Sequence, residues 1–504
     1  MKSNLIFRRQ FLFTENSINM YPGWDHIEID RYHLYAHPDL KVTKGKDQKK
    51  IVLLIGEIFD PIHFERENAD IINEILKNVQ SKEDLFVQIK KYSGRYALIY
   101  FDDNNKLIFN DALGLREIYY SLRTKEIYCA SQPNLIINFA SPEIGPNDDR
   151  EFLNYFKDHS INNRWNPYCK WIGDETYYKG VNHLLPNHYL DLIRREVSRY
   201  WPNEKIEQLK LEEAISRGCL FLQGSLKAMA NRNSIMMAVT AGIDSRTLLA
   251  ASRDIKEKIY YFINDHDLGQ NHPDIEVPKR IFEKIGLQFH VHKVQKEVDE
   301  GFKKTFLKNT FFASERLLPT IYNIYYKKHN NKVNIIGIGE IGRTRYGKVG
   351  KNLNGYRIAY KLGHKKSVYA KNQGEKILAE LLPISRDYGI NLFTLLYWEH
   401  TLGNWGATGN SESDIAIEEL NPFDSHALYE IFLGVDNKYS KYNNPIIFKE
   451  MIKKMWPDVL DIPINPPYTM RGKVEKVIKR IKIYNIAKEI KYQINYYRYG
   501  NGSN

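Results

Sequence analysis

Cysteine is scarce in this chain: three in 504 residues (Cys129, Cys169, Cys219), far apart and never in CxxC spacing. That excludes a disulfide framework and a cysteine-built zinc site, and it points to a reducing compartment. Long apolar runs are also missing. No stretch reaches the roughly 20 residues a bilayer crossing needs. The opening MKSNLIFRRQFLF is too short and too interrupted to be a signal peptide or a span. A cytoplasmic location is expected. There is no repeat, no low-complexity tract, and no glycine loop followed by Gly-Lys-Ser/Thr, so a Walker-type phosphate loop is excluded.

Negative charge is in deficit, with 61 Asp and Glu against 73 Lys and Arg, a net of +12. Much of the excess lies at the end, where residues 471–504 hold nine Lys or Arg against two Glu. Val474, Val477, Ile478, Ile481, Ile486 and Ile490 recur there at helical spacing with lysines between them. Such a segment is either a docked helix with a solvated lysine face or a basic amphipathic helix. The basic tail is thus a candidate for peripheral membrane or protein contact. Enrichment of Tyr together with Asn, Lys and Ile reads as compositional bias, so nucleic acid is not expected as a partner.

The texture changes along the chain. Up to about residue 200 it reads as short strands: Lys50 to Asp60, Gly94 to Gln132, and Asn187 to Trp201. ALIYFDDNNKLIF has the form of a hairpin with Asp103-Asn104-Asn105 at its tip. NADIINEILKNV and KEDLFVQIKKY have helical periodicity. From about Lys210 helices and strands alternate, the βαβ rhythm of a parallel sheet covered by helices, and after about Tyr356 the chain reads as mainly helical. Three regions are expected: 1–203, 204–470 and the tail 471–504.

SIMMAVTAGIDSRTLLAASR, Ser234 to Arg253, holds the most chemistry. A short apolar strand, a turn of small residues and a helix start form an anion site, because free backbone N–H groups and the helix dipole face the turn. The stretch Thr240-Ala241-Gly242-Ile243-Asp244-Ser245-Arg246 resembles the pyrophosphate loop of the ATP pyrophosphatases, in the variant common to the asparagine synthetase-like branch. DIEVPKRIFEKIGLQFH, NIIGIGEIGRTRYG and NPFDSHALYEIFLGV resemble later landmarks of that branch. SGRYALIYFDDNNKLIFNDALGLREIYY and VNHLLPNHYLDL resemble landmarks of class II glutamine amidotransferase domains.

The resemblance implies an α+β amidotransferase-like (Ntn-type) sandwich over 1–203. It is followed over 204–470 by an α/β doubly wound parallel-sheet PP-loop domain with a helical C-terminal part. It further implies an ATP-dependent ligase that adenylates a carboxylate, releases pyrophosphate and passes the acyl group to ammonia or a substrate amine. Its substrates would be small-molecule, glycan or peptide carboxylates and amines. ATP and Mg²⁺ are the implied cofactors, with Thr240 through Arg246, Ile263 and Gly339 on the nucleotide and Asp244 on the metal. Glu340 falls on the family's glutamate, a general base or acceptor-positioning group.

Two departures matter. The chain as given starts Met1-Lys2-Ser3, without the N-terminal cysteine of the amidotransferases, so glutamine hydrolysis is expected to be absent, as in the β-lactam synthetases and lasso-peptide cyclases. Arg343 stands where asparagine synthetases have a metal-binding Asp, and Arg343 with Arg345 would put guanidinium forks on phosphate oxygens. A PP-loop RNA-modifying enzyme and a catalytically inactive scaffold remain the alternatives, and the oligomeric state is open. Outside the loop, Glu399 reads as a paired residue, His290 and His292 share a strand face, and Asp274 reads as the cap of the next helix.

Overall fold

The computed structural model describes residues 2–122, 125–139, 144–165, 171–266, 268–269, 271–343, 353–468 and 483–500. It is a mixed α/β structure whose described residues form two six-stranded antiparallel sheets, one five-stranded parallel sheet and a two-stranded antiparallel ribbon at residues 440–445. Twelve strands build the antiparallel pair: β1 (Phe11–Thr14), β2 (Asp25–Ile29), β3 (Tyr32–Ala36), β4 (Val42–Asp47), β5 (Lys50–Phe59), β6 (Ser93–Phe101), β7 (Lys106–Asn110), β8 (Tyr119–Ser121), β9 (Tyr128–Ala130), β10 (Asn182–His183), β11 (His188–Asp191) and β12 (Glu196–Arg199). One sheet runs β10-β8-β9-β1-β3-β2 and the other β12-β11-β7-β6-β5-β4.

Strand alternation explains how they stack. On β5, Leu53 and Ile55 join Phe11, Phe13 and Leu34 of the first sheet in one apolar cluster. The intervening Val52 and Leu54 face the opposite way, onto Ile71, Ile75 and Leu85 of α1 (Asn68–Asn78) and α2 (Lys82–Ile89). On the far side of the first sheet, Leu135 and Ile136 of α3 (Pro133–Phe139) pack on Leu12 and Tyr119. The order of layers is helix, sheet, sheet, helix. The hairpin β6–β7 turns where read, but Asp102 closes it: its Oδ1 accepts the N–H groups of Asn104 and Asn105 at 2.8 and 2.7 Å.

Beyond α4 (Arg150–Trp165), the parallel sheet is made by β13 (Ile235–Ala238), β14 (Tyr260–Asp265), β15 (His290–Lys293), β16 (Val333–Ile335) and β17 (Glu418–Leu420), in the order β15-β14-β13-β16-β17. Every neighbouring pair is parallel. One face packs on α5 (Leu211–Arg232), α6 (Ile243–Ala251) and α7 (Pro273–Ile285), through Leu222, Leu248 and Ile281. The other face packs on Phe302, Phe306, Ile321 and Ile324 through Met236 and Phe262. A sheet covered on both faces is the doubly wound arrangement.

The two halves are joined by more than a linker. One apolar cluster runs from the helical face of the second antiparallel sheet into the parallel-sheet half. Buried Arg95 reaches Asp414 at 2.6 and 2.8 Å and Glu418 at 3.0 Å, while Arg116 reaches Glu418 at 2.7 Å. At Gly224 of α5 a Cβ would stand 1.7 Å from the carbonyl oxygen of Pro61, so only glycine allows this approach. The basic segment 471–482 lies outside the described residues, but helix Ile483–Tyr499 docks. Tyr492 is buried, and Arg357 binds Glu489 at 2.7 Å while stacking 4.0 Å from the Tyr492 ring centre. Among the described residues no helix is long and apolar enough to cross a membrane.

Candidate functional site

The parallel sheet sets the position of the site. Its strand order reverses between β13 and β16, and in open α/β sheets ligands bind at that switch point, beyond the carboxyl ends of the strands. After β13 the chain turns through Val239–Gly242 and enters α6, whose N-cap Gly242 has no side-chain cap. The N–H groups of Ile243, Asp244 and Ser245, in the first turn, have no acceptor within the helix and face the turn.

The loop is tied by its own hydroxyls. Thr240 Oγ1 and Ser245 Oγ are 3.0 Å apart. The Thr240 N–H donates to Ser245 Oγ at 3.2 Å and the Gly242 N–H to Thr240 Oγ1 at 3.1 Å. The Ala241 N–H donates to Asp274 Oδ1 at 3.0 Å. This corrects the reading of Asp274 as a helix cap. His272 is the N-cap of α7, accepting from the Asp274 N–H, and the Asp274 carboxylate is free to reach back to the loop.

The loop after β16 supplies the other side. Gly339 lies close against the site: a Cβ there would stand 3.0 Å from the Phe423 ring and 3.1 Å from Asp244 Oδ1, so one of these side chains would have to shift. Arg343 Nη2 meets Asp244 Oδ2 at 2.5 Å and lies 3.8 Å from Glu340 Oε1, with its guanidinium 5.1 Å from the Tyr442 ring centre. Tyr397 donates its hydroxyl hydrogen to Glu340. Asp244, Gly339, Glu340 and Arg343 therefore come together. Arg345 lies outside the described residues. The Arg246 side chain leaves the site, donating to the carbonyls of Val459 and Ile462 at 2.7 and 2.9 Å, and burial lowers its pKa to about 10. Ile263 shares its face of β14 with Tyr261, toward α7; its neighbour Asn264 borders the cavity.

That cavity, about 480 Å³, opens from Asp244 and Glu340 toward the antiparallel sandwich, whose Tyr119, Glu175 and His183 line the opposite wall. Glu412 and Glu419 border it too. Burial, its largest cause in both, raises the carboxyl pKa of Glu412 to about 8 and that of Glu419 to about 7. The Ser314 N–H on Glu412 and the Asn334 amide on Glu419 partly oppose the shift. Sequence reasoning missed both; the acidic run SESDIAIEEL was the available signal. Glu399, which it did weigh, is fully buried and paired with Arg199 at 2.6 and 2.9 Å. His290 stacks on Tyr260 and His292 bonds the Tyr260 hydroxyl at 2.9 Å, so both are satisfied structurally. Among the described residues no group of three or more His, Cys, Asp or Glu is arranged to hold a metal ion.

No family model and no curated protein matches the chain. Solved structures do align with it, two of them as follows. One is a glutamine phosphoribosylpyrophosphate amidotransferase from B. subtilis complexed with ADP and GMP, at 8% identity and a TM-score of 0.23, over 60% of this chain and 65% of that one. The other is the allosteric regulatory enzyme of purine biosynthesis, at 9% identity and a TM-score of 0.25, over 59% and 62%. The chain thus spans less than two thirds of either. At these TM-scores the likeness carries no argument about fold or activity.

Proposed function

We propose that the protein is an AMP-forming carbon–nitrogen ligase of the asparagine synthetase type, which activates a carboxylate with ATP and transfers the acyl group to ammonia or a substrate amine. One observation carries the reading. At the switch point of the parallel sheet, Asp244, in the first turn of α6 behind its uncapped start, lines a cavity with Glu340 and pairs with Arg343. The layer order of the first half and the doubly wound sheet of the second support it, being the arrangement expected of an Ntn-type sandwich ahead of a PP-loop domain.

In this reading the first-turn N–H groups of α6 and the Thr240 and Ser245 hydroxyls hold the departing pyrophosphate. Asp244 fits a magnesium ion, which is ordinarily held by one or two carboxylates together with substrate phosphates. Bound there, Mg²⁺ supplies charge neutralisation to the phosphates. Arg343, now on Asp244, is placed to share phosphate charge. Glu340, fixed by the Tyr397 hydroxyl, serves as proton acceptor or positions the acyl acceptor.

Pyrophosphate release from ATP and Mg²⁺, over a panel of aspartate, amino sugars and uronic acids, tests the proposal. Release that requires one acid and disappears in Asp244→Ala supports it. Two contacts favour a second reading, the inactive scaffold: Asp274 and Arg343 occupy positions on Ala241 and Asp244 where phosphate and metal would bind. Absence of ATP binding by calorimetry would decide for that reading.

A further inference from the structure

The sandwich side of the cavity holds a histidine that the loop chemistry does not use. His183 of β10 is 4% exposed, and its ring stacks on Tyr119 at 4.6 Å between centres. Its Nδ1 lies 2.9 Å from Asn404 Oδ1, while its Nε2 is buried without a hydrogen-bond partner. The orientation of Asn404 follows from its other end. The Asn404 Nδ2 group donates to the carbonyl of Gly173 at 3.1 Å and lies 3.5 Å from those of Trp171 and His400. Carbonyls accept only, so the nitrogen must be there and the oxygen must face His183. An amide oxygen only accepts, so the proton of the neutral ring is on Nδ1. In the neutral ring the unused Nε2 therefore carries a lone pair, in a residue that lines the cavity. Leaving such an acceptor buried and unmade costs free energy, which a ligand donor would recover. Asn410, another lining residue, buries an unpartnered Nδ2 as well.

The surroundings say which donor. Among the described lining residues, Glu175, Glu340 and Asp244, the last paired with Arg343, stand against the single guanidinium of Arg316, while burial raises the pKa of Glu412 to about 8 and of Glu419 to about 7. Trp171, Phe311 and Phe312 form an aromatic wall, with ring centres 5.4 Å apart for Trp171 and Phe312 and 5.2 Å for Phe311 and Phe312. Carboxylates select a cation, and aromatic faces hold both an ammonium group and an apolar body. At about 480 Å³ the space is far larger than ammonia requires.

The geometry points to a binding site on the sandwich side of the cavity for a primary amine with an aromatic or apolar body, in which His183 Nε2 accepts the hydrogen of its ammonium group. The inference rests on the ligase reading for the chemistry that follows. The ammonium group gives one proton to His183 Nε2. The neutral nitrogen then forms the C–N bond at the acyl carbon of the adenylate as the C–O bond to phosphate breaks. The second proton leaves on the departing AMP, and the imidazolium returns its proton to water.

Benzylamine is the probe, titrated calorimetrically into the full chain, with benzoate as the oppositely charged match. His183→Phe keeps the stack on Tyr119, His183→Gln keeps polarity, and thermal melting checks that both fold. Benzylamine binding that weakens at least tenfold in both variants, with benzoate excluded, supports the site. No binding, equal binding in the variants, or benzoate bound as well as benzylamine overturns it. Histidine ¹⁵N spectra of the unaltered protein give a readout free of variants. One unprotonated Nε2 should shift toward its hydrogen-bonded position as benzylamine is added, and a spectrum without such a shift overturns the proposal. Wild-type pyrophosphate release is scored separately. If benzylamine binds through His183 and no acid promotes release, the ligase reading falls and the amine site stands.

Discussion

Arg343 and Asp244 meet at 2.5 Å across the seam between two crossovers, although 98 residues of chain separate them. Both side chains are largely buried, at 7% and 15% exposure. The pair fastens the loop after β16 to the first turn of α6, so an ionic contact holds the two parts of the candidate site in register.

Replacing Arg343 with Met removes one partner of that pair, which for a mostly buried ion pair costs on the order of 3 kcal/mol. Urea denaturation should show that loss. If Asp244 takes a divalent cation as proposed, added Mg²⁺ raises the melting temperature of the variant more than that of the wild type. An equal effect on both would remove Asp244 from the metal assignment.

Asp274 places a negative charge on the Ala241 N–H, a donor an incoming phosphate would use. In Asp274→Ala inorganic pyrophosphate should bind about tenfold tighter, equivalent to ~1.4 kcal/mol. Calorimetry with the full chain measures it, and weaker binding would mean that Asp274 shapes the loop rather than competing for it.

Arg95 sits without solvent contact between Asp414 and Glu418. Arg95→Met leaves two buried carboxylates with less compensation and should cost roughly 3–5 kcal/mol. The double variant with Asp414→Leu should recover part of the loss, because it removes an uncompensated charge as well. Denaturant midpoints of the two variants report the difference.

Glu412 gives a pH prediction with a definite sign. Its folded-state pKa is about 8, above the usual carboxylate value of 4.5, so between those limits the unfolded chain has released a proton that the folded chain keeps. Stability therefore falls with rising pH across that window. In Glu412→Gln this contribution is absent, and Gln retains an acceptor for the Ser314 N–H. The melting temperature of the variant relative to wild type should climb from pH 5 to pH 8. Buried His400, lowered to about 4, acts at the other end: stability is lost as pH falls from 6.5 toward 4.

Local pattern made much of this molecule readable. The apolar run of β5, the helical spacing of α1 and the strand–turn–helix at residues 235–251 each depend on neighbours in sequence, and each appears with boundaries close to those read. The meeting of Glu340 and Arg343 with Asp244 was legible only through the resemblance, since spacing alone does not bring residues a hundred positions apart together. Ile263 shows the limit of a strand reading: a shift of one residue to Asn264 exchanges the two faces. Arg246 shows another, because a side chain that long can serve the segment at 459–462 instead of its own loop. Glu412, Glu419 and His183 were invisible as a group. They come from two stretches, 411–420 and 182–183, which share a cavity wall only because the halves close on each other.

β17 has two neighbours of different kinds. It closes the edge of the parallel sheet beside β16, and its first residue, Glu418, receives Arg95 and Arg116 from the antiparallel sandwich. The next residue, Glu419, borders the cavity. A displacement of the sandwich thus pulls on Glu418 and is passed one peptide along to the cavity wall. The strand works as a lever between the halves, coupling the fit of whatever fills the cavity to how tightly they hold each other.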